Sequence, residues 1–554
     1  MTQNKLKILM CSEASFVNSG FGIYNKELLS RLYNTNKYDV AEFASYGFVN
    51  DPRDKLIPWK YYANAVKDDD PRHQQYMSRP DNQFGRWRFE KVLLDFKPDV
   101  VIDVRDYWMS YYQGLSPLRK FFHWVLMPTV DSAPQQEDWI DTFISADAVF
   151  TYSDWGANVI KEQSSGKINY IDTTSPGVDL NVFNIKNNKA KIKDALGLPP
   201  DSIVIGSVMR NQKRKLIPEL FLSMRKLIDR LEQENNKLGE NIIFYMHTSY
   251  PDAGWDIPEL LKNYRMANRV YFSYVCSSCG SVEASTFSHP IKVCSSCGNK
   301  NSRMPSVTNG VTSETLANIY NTFDLYVQYA ICEGFGMPQV EAGACGVPIA
   351  TVNYSAMCDI VSKLEAYPIR IGSFFKELET KASRVYPDND DLVDIIYKHI
   401  MLPDPMLHKK RMRTRELTEK HYNWDDIADR WIKYLDNLDA INYRSDWSKP
   451  PQYLPEVSGP IPDSSAVISA IKICANNLHN IDFASSMNML SMLNDSDYGF
   501  TQSGPSYNGY DFSHTIDNIK KMIDNNNQSE YARTSGMAFD DDFIRYAHLK
   551  EKLK

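Results

Sequence analysis

Residues 333–348, EGFGMPQVEAGACGVP, constrain the fold of this chain more than any other stretch. They lie between two apolar runs. Upstream, residues 324–328 (DLYVQ) predict a short strand, and downstream residues 347–352 (VPIATV) predict another. Between them, Gly334 and Gly336 free the backbone, Pro338 suits a first helical turn and Gly346 suits its end. A glycine loop running into a helix start gathers unpaired N–H groups at the positive end of the helix dipole, which suits a phosphate or a sugar oxygen. Glu333 and Glu341 frame the unit. Carboxylates repel a phosphate, so they are better placed to accept hydrogen bonds from hydroxyls. N–H groups for phosphate beside carboxylates for hydroxyls suit a nucleotide sugar.

The rest of the chain is built in the same idiom. An apolar strand, residues 7–11, leads into a loop with Gly20 and Gly22 and then a helix patterned by Ile23, Leu28, Leu29 and Leu32. Strand, glycine loop and helix in that order open a Rossmann-like domain. Further strands are expected at 99–104 and 148–151. The run 203–209, IVIGSVM, is too apolar for an exposed edge, and it ends in the basic turn 210–215, RNQKRK. At 554 residues the chain is long enough for several domains. Its net charge of −7 gives no global basic field, so any nucleic-acid contact must come from a local patch. Residues 6–10 are strand-length and do not read as a signal peptide, and no apolar window is long enough to span a membrane.

The segment EGFGMPxxEAxACGxP resembles the donor-site signature of retaining glycosyltransferases of the GT-B fold, family 4 in particular. Residues 175–179 (SPGVD) with Phe183 resemble that family's hinge, and the resemblance covers roughly residues 5–440. It implies an α/β protein with two Rossmann-like domains facing a central cleft: an acceptor domain over 1–180 and a nucleotide-sugar domain over 181–440. It also implies roles. Arg210 and Lys215 would neutralise the leaving diphosphate, and Glu333 would touch the donor sugar. Glu341 would hold the ribose hydroxyls, while Gly20, Gly22, Gly334, Phe335, Gly336 and Met337 would line the donor. UDP is the expected nucleotide, and no catalytic metal is expected. Many relatives carry a histidine near the acceptor. Here the comparable segment, MPTVDSAP over 127–134, offers Asp131, whereas His123 sits in an apolar run and reads as a core histidine.

Two segments depart from that pattern. Within 272–304, Cys276, Cys279, Cys294 and Cys297 form two CSSCG knuckles. Paired CxxC turns fit tetrahedral Zn²⁺, and four thiolates leave no open position, so an inserted structural zinc ribbon is expected. The other five of the nine cysteines lack framework spacing, the usage of a reducing cytoplasm. A Pro-rich linker at 448–462 precedes an appended C-terminal module, 463–554, whose role the sequence does not give. The ribbon and the variant basic turn resemble glycosyltransferases of large tailed phages. That resemblance raises DNA containing 5-hydroxymethylcytosine as an acceptor, with a base flipped into the cleft of a protein in the host cytoplasm. Carbohydrate or glycolipid acceptors, and a catalytically silent zinc-ribbon binding protein, remain the alternatives. The basic run 408–415, HKKRMRTR, reads as a solvated helix face or a nucleic-acid contact.

Overall fold

A computed structural model describes residues 5–116, 118–306 and 309–438. The expected C-terminal module, 463–554, lies outside the described residues.

Seven parallel strands form the first sheet: β1 (Leu6–Glu13), β2 (Tyr38–Phe48), β3 (Lys60–Ala65), β4 (Val100–Arg105), β5 (His123–Pro128), β6 (Ala148–Thr151) and β7 (Tyr170–Thr173). Their order is β3-β2-β1-β4-β5-β6-β7. The order reverses between β1 and β4, which pair with Cys11 opposite Asp103. Every residue of β4 is buried, as both faces of a parallel sheet require. In an open α/β sheet the reversal leaves a crevice beyond the strand ends, where ligands bind.

The second sheet repeats the device. Its parallel part comprises β8 (Ile203–Val208), β9 (Ile242–His247), β10 (Val270–Cys276), β14 (Leu325–Gln328), β15 (Ile349–Val352) and β16 (Tyr367–Ile369), in the order β10-β9-β8-β14-β15-β16. Here the reversal falls between β8 and β14, whose register sets Leu325 opposite Ile205. The ribbon grows out of this sheet as antiparallel strands β11 (Val282–Thr286), β12 (Ile291–Lys292) and β13 (Ser302–Arg303) around the end of β10. It is therefore continuous with the domain sheet from Val270 onward. A separate hairpin, β17 (Ile371–Lys376) with β18 (Ser383–Pro387), stands at the mouth of the cleft.

The chain crosses between the sheets near Val178 and returns near Asn423, and the two crossings pair: Val178 N donates to Tyr422 O at 2.9 Å. The last helix among the described residues, Trp424–Asp436, is capped by Asn423 and buries Ile427, Trp431 and Leu435, as its apolar spacing predicts. It docks on the first sheet: the Trp431 ring stacks on Phe150 at 4.0 Å, and its indole N–H donates to the Tyr24 hydroxyl at 2.9 Å. His123, at the start of β5, meets Tyr434 of this helix at 2.6 Å, so it is a packing histidine. One apolar cluster runs through both domains by way of this helix.

Candidate active site

Strands β8 and β14 deliver the two halves of the candidate site. Past β8 the basic turn tightens over Lys213–Lys215 and swings through Leu216, held at φ +47°, into the helix Ile217–Gln233. A non-glycine residue in this left-handed region is strained, and Lys215 just before it points inward, only 7% exposed. Five residues past β14, Glu333 is 5% exposed. Its Oε1 contacts the Lys215 ammonium and accepts from Gln328 Nε2 at 2.7 Å, and its Oε2 accepts from Arg214 Nη1 at 3.0 Å. The Glu333 backbone N–H is held by Ser355 Oγ at 2.9 Å. Burial pushes this carboxyl up, but Lys215 and Arg214 outweigh it and hold Glu333 at about 2. Burial also lowers Lys215, against the pull of the Glu333 carboxylate.

The structure thus joins Lys215 to Glu333 but puts Arg214 where Arg210 was expected. Arg210 forks instead onto Asp252, at 2.8 and 2.9 Å, with half of its side chain exposed. Arg214 and Gln328 carry no motif position of their own. The turn's handedness selects one, and the alternation of β14 selects the other.

The helix Met337–Ala344 begins as expected, with Gly336 at φ +90° before it and Pro338 in its first turn. Glu341, on this helix, accepts from the Tyr320 hydroxyl at 2.7 Å, and burial pushes it up to about 7 against that bond. Phe335 turns into the core against Tyr422, so only its backbone can face a ligand.

The two reversals face each other. Gly20, which opens the helix Gly20–Asn34, sits so that a Cβ there would lie 3.8 Å from Met337 Sδ. A Cβ at Gly334 would collide with the Thr129 methyl, so the close approach of the domains requires glycine at that position. Gly22 serves the local fold, its N–H capped by Ser19 Oγ at 3.0 Å. On the first-domain side, Glu13 ends β1 and Asp106 follows β4. Burial, with Asp131 and Glu13 nearby, raises Asp106 to about 6 although Arg214 across the cleft opposes it. The sequence reading missed Asp106; its position at the β1/β4 reversal is the signal that finds it. Asp131 spans the cleft, paired with Arg384 of β18 at 2.9 Å and accepting from the Cys332 thiol at 3.3 Å.

At the ribbon, the four sulfurs of Cys276, Cys279, Cys294 and Cys297 lie within 4.8 Å of one another. Cys276 and Cys297 approach to 3.6 Å, and Cys279 and Cys294 to 3.7 Å. A tetrahedron with Zn–S bonds of about 2.3 Å has edges of about 3.8 Å, so the donor set fits that ion. In each knuckle the glycine N–H (Gly280, Gly298) bonds the first cysteine carbonyl at 2.9 Å.

This architecture is the GT-B fold. Sucrose-phosphate synthase from Thermosynechococcus elongatus superposes with a TM-score of 0.57 at 18% identity, over 79% of this chain and all of that one. Anabaena Alr3699/HepE in complex with UDP-glucose superposes with a TM-score of 0.53 at 13% identity, over 78% of this chain and all of that one. The family described as "Glycosyl transferases group 1" matches residues 294–380, which hold Glu333 and Glu341. A curated relative, D-inositol 3-phosphate glycosyltransferase 2 of Catenulispora acidiphila, is 24% identical over 218 residues. That match spans 39% of this chain and 43% of the relative. Fold and matched segment together define a GT-B protein in which residues 294–380 match the glycosyl transferases group 1 model.

Proposed function

We propose that this chain is a retaining glycosyltransferase that moves a sugar from a UDP-sugar to an acceptor hydroxyl. The observation that carries the reading is the group at the β8/β14 reversal, buried Lys215 and Glu333 with part-exposed Arg214, and Glu341 on the helix Met337–Ala344 that follows. Its placement matches what the reaction needs. The bond from the anomeric carbon to the diphosphate oxygen breaks while the acceptor oxygen bonds the same carbon on the same face. The acceptor's proton passes to the departing diphosphate oxygen. Lys215 and Arg214 supply preorganised positive charge to that leaving group, a contribution of about 3–4 kcal/mol per donor in water-excluded sites. Glu333 orients both cations and accepts from donor-sugar hydroxyls, and Glu341 accepts from the ribose. The acceptor hydroxyl enters from the first domain, between Asp106 and Asp131. The Anabaena neighbour is described in complex with UDP-glucose, which supports UDP as the nucleotide. The ribbon would hold structural zinc.

The acceptor reading turns on the basic run. Arg415 binds the carbonyls of Phe183 and Ala344 at 2.5 and 2.6 Å, Arg411 binds that of Gly346 at 3.3 Å, and Arg413 pairs with Glu365 at 2.7 Å. These three arginines are engaged within the fold, which supports a carbohydrate hydroxyl over 5-hydroxymethylcytosine in DNA. No helix among the described residues is long and apolar enough to cross a membrane.

The test is UDP release and product mass after incubation of the full chain with UDP-sugars and acceptors, DNA with and without 5-hydroxymethylcytosine included. Product NMR should show the donor's anomeric configuration retained. Glu333→Gln and Lys215→Ala should remain folded and lose most transfer. Wild-type turnover in both variants would remove the assignment.

A further inference from the structure

The two cysteine knuckles stand on the same side of the second sheet as the basic turn. Strand β11 holds one edge of β10 over residues 271–275, and β9 holds the other over residues 270–272. Val275 already pairs with Val282 of β11, so β13, which meets β10 at Val275 and Cys276, lies on the edge of β9. Met246 of β9 faces Phe272, and β9 ends one residue later at His247. The short strands β12 and β13 therefore stand just beyond the carboxyl end of β9, where an open α/β sheet binds ligands.

To pass from β11 to β12 the chain has to cross β10. Residues 287–290 make the crossing over the face that carries Phe272 and Tyr274, which are two apart and share a side of the strand. The Phe287 ring meets Phe272 at 6.1 Å, and the Tyr274 hydroxyl donates to the His289 carbonyl at 3.2 Å. Lys292 of β12 ties the far end of the crossing back, donating to the Thr286 carbonyl at 2.7 Å. Phe287 also meets Tyr250 of the loop after β9, edge to face, with ring centroids 5.8 Å apart.

That loop in turn holds the basic turn. Asn211 is fully buried, accepts the Trp255 N–H at 2.9 Å and donates to the Trp255 carbonyl at 2.8 Å. A Cβ on Gly254 would come within 2.2 Å of Asn211 Oδ1, so loop and turn are pressed together as only glycine permits. Arg210 forks onto Asp252 of the same loop, but as a half-exposed pair it adds little. Further along the turn, Lys215 and Arg214 reach Glu333.

We propose that the ribbon is a positioning device for the donor turn: with its four cysteines closed on zinc, Phe287 holds the loop after β9, and the loop holds the turn that aims Lys215 and Arg214. Metal loading and nucleoside diphosphate binding are then coupled, and the coupling is reciprocal. The proposal rests on the donor reading for the identity of the ligand.

The experiment is calorimetric binding of UDP to the full chain, zinc-loaded and chelator-depleted, well below the melting transition of either form. A ribbon that only adds stability leaves the UDP affinity of the folded chain unchanged. A positioning ribbon makes the depleted chain bind UDP about fivefold or more weakly, the lower end of coupling between linked sites. Saturating UDP should raise zinc affinity by the same factor, read by competition with a chromophoric chelator. Phe287→Ala spares every cysteine, so it should keep its zinc by elemental analysis and bind UDP about threefold or more weakly, and Phe287→Tyr should restore the affinity. Equal UDP affinity with and without zinc, or unaltered affinity in zinc-loaded Phe287→Ala, would overturn the proposal, as would a full chain that holds no zinc. A zinc-loaded wild type that does not bind UDP would remove the donor reading and this proposal together, whereas UDP binding indifferent to zinc removes this proposal alone.

Discussion

Burying Lys215 and Glu333 costs several kcal/mol of lost hydration, which their mutual attraction offsets only because Arg214, Gln328 and Ser355 satisfy the remaining atoms. Such a group is a poor source of stability and a good way to keep charge aimed at a cleft. Arg214→Ala should therefore cut transfer by about 10²–10³-fold, as loss of a preorganised donor does, while Arg210→Ala, which breaks a half-exposed pair with Asp252, should change it little. Steady-state UDP release from the two variants separates them, and equal losses would return Arg210 to the site. The Glu motif made Glu333 and Glu341 legible, because a loop and helix start fix where those side chains go. The basic turn was less legible: the family resemblance points to Arg210 and Lys215, but the 3₁₀ turn that ends at the left-handed Leu216 sets Lys215 and Arg214 on Glu333. A second prediction concerns Glu341, raised to about 7 by burial. Below that pH its carboxyl is protonated and, on the proposed reading, loses a charged acceptor for the ribose. UDP-glucose should bind about tenfold more weakly at pH 6 than at pH 8, in line with the loss of a charge-assisted hydrogen bond. The Glu341→Gln variant should bind weakly at both, and an unchanged wild-type affinity across that range would exclude the role. Folding carries the opposite sign. The native state holds this proton more tightly than the unfolded chain, so the group's contribution to stability falls as pH rises from about 4.5 through about 7.

At the scale of elements, the two cysteine knuckles of the ribbon draw little on packing, although β11 sets Ala284 and Val282 against the core. Strands β12 and β13 contribute two residues each, and the cysteines sit at strand ends and turns. The sequence gives away the cysteine tetrad but not the attachment: Cys276 is the last residue of β10, which pairs in parallel with β9 inside the main sheet. Periodicity cannot reveal this, because a strand that begins in a core and ends in a metal knuckle looks like a boundary between domains. The consequence is testable. One zinc per chain should be found by elemental analysis, and Cys294→Ser should abolish it. The same change should lower the melting temperature by roughly 5–10 °C, because disorder at the end of β10 reaches a sheet edge. Retention of both the metal and the melting temperature would mean that the four sulfurs have another use.

For the molecule as a whole, the proposed chemistry depends on two reversals in strand order meeting across a cleft, and polar contacts at the cleft add to the apolar cluster that joins the domains through the returning helix. Besides the hairpin, Asp359 of the second domain caps the helix Asp154–Gln163 of the first, accepting from Asp154 N at 2.8 Å and Trp155 N at 3.1 Å. Lys363 bridges Asp359 and Asp154 at 3.0 and 2.8 Å. A carboxylate on the N-terminal N–H groups of a helix satisfies orphan donors and the dipole together, and is worth roughly 1–2 kcal/mol. Here that energy is spent between domains, so it biases closure more than it stabilises either domain. The hinge sequence and the returning helix made the two crossings legible; Asp359 was not, because nothing in its local sequence says that its partner lies some two hundred residues earlier. Losing 1–2 kcal/mol shifts an open–closed ratio by about 5–30-fold. Asp359→Ala should therefore raise the radius of gyration measured by X-ray scattering without nucleotide. Saturating UDP should restore the compact value, and UDP affinity should fall by up to that same factor because part of its binding energy then goes into closure. Each domain keeps its own core, so the melting profile should move little. Scattering and UDP affinity identical to those of the unaltered chain would show that the hairpin and the final helix hold the cleft without this cap.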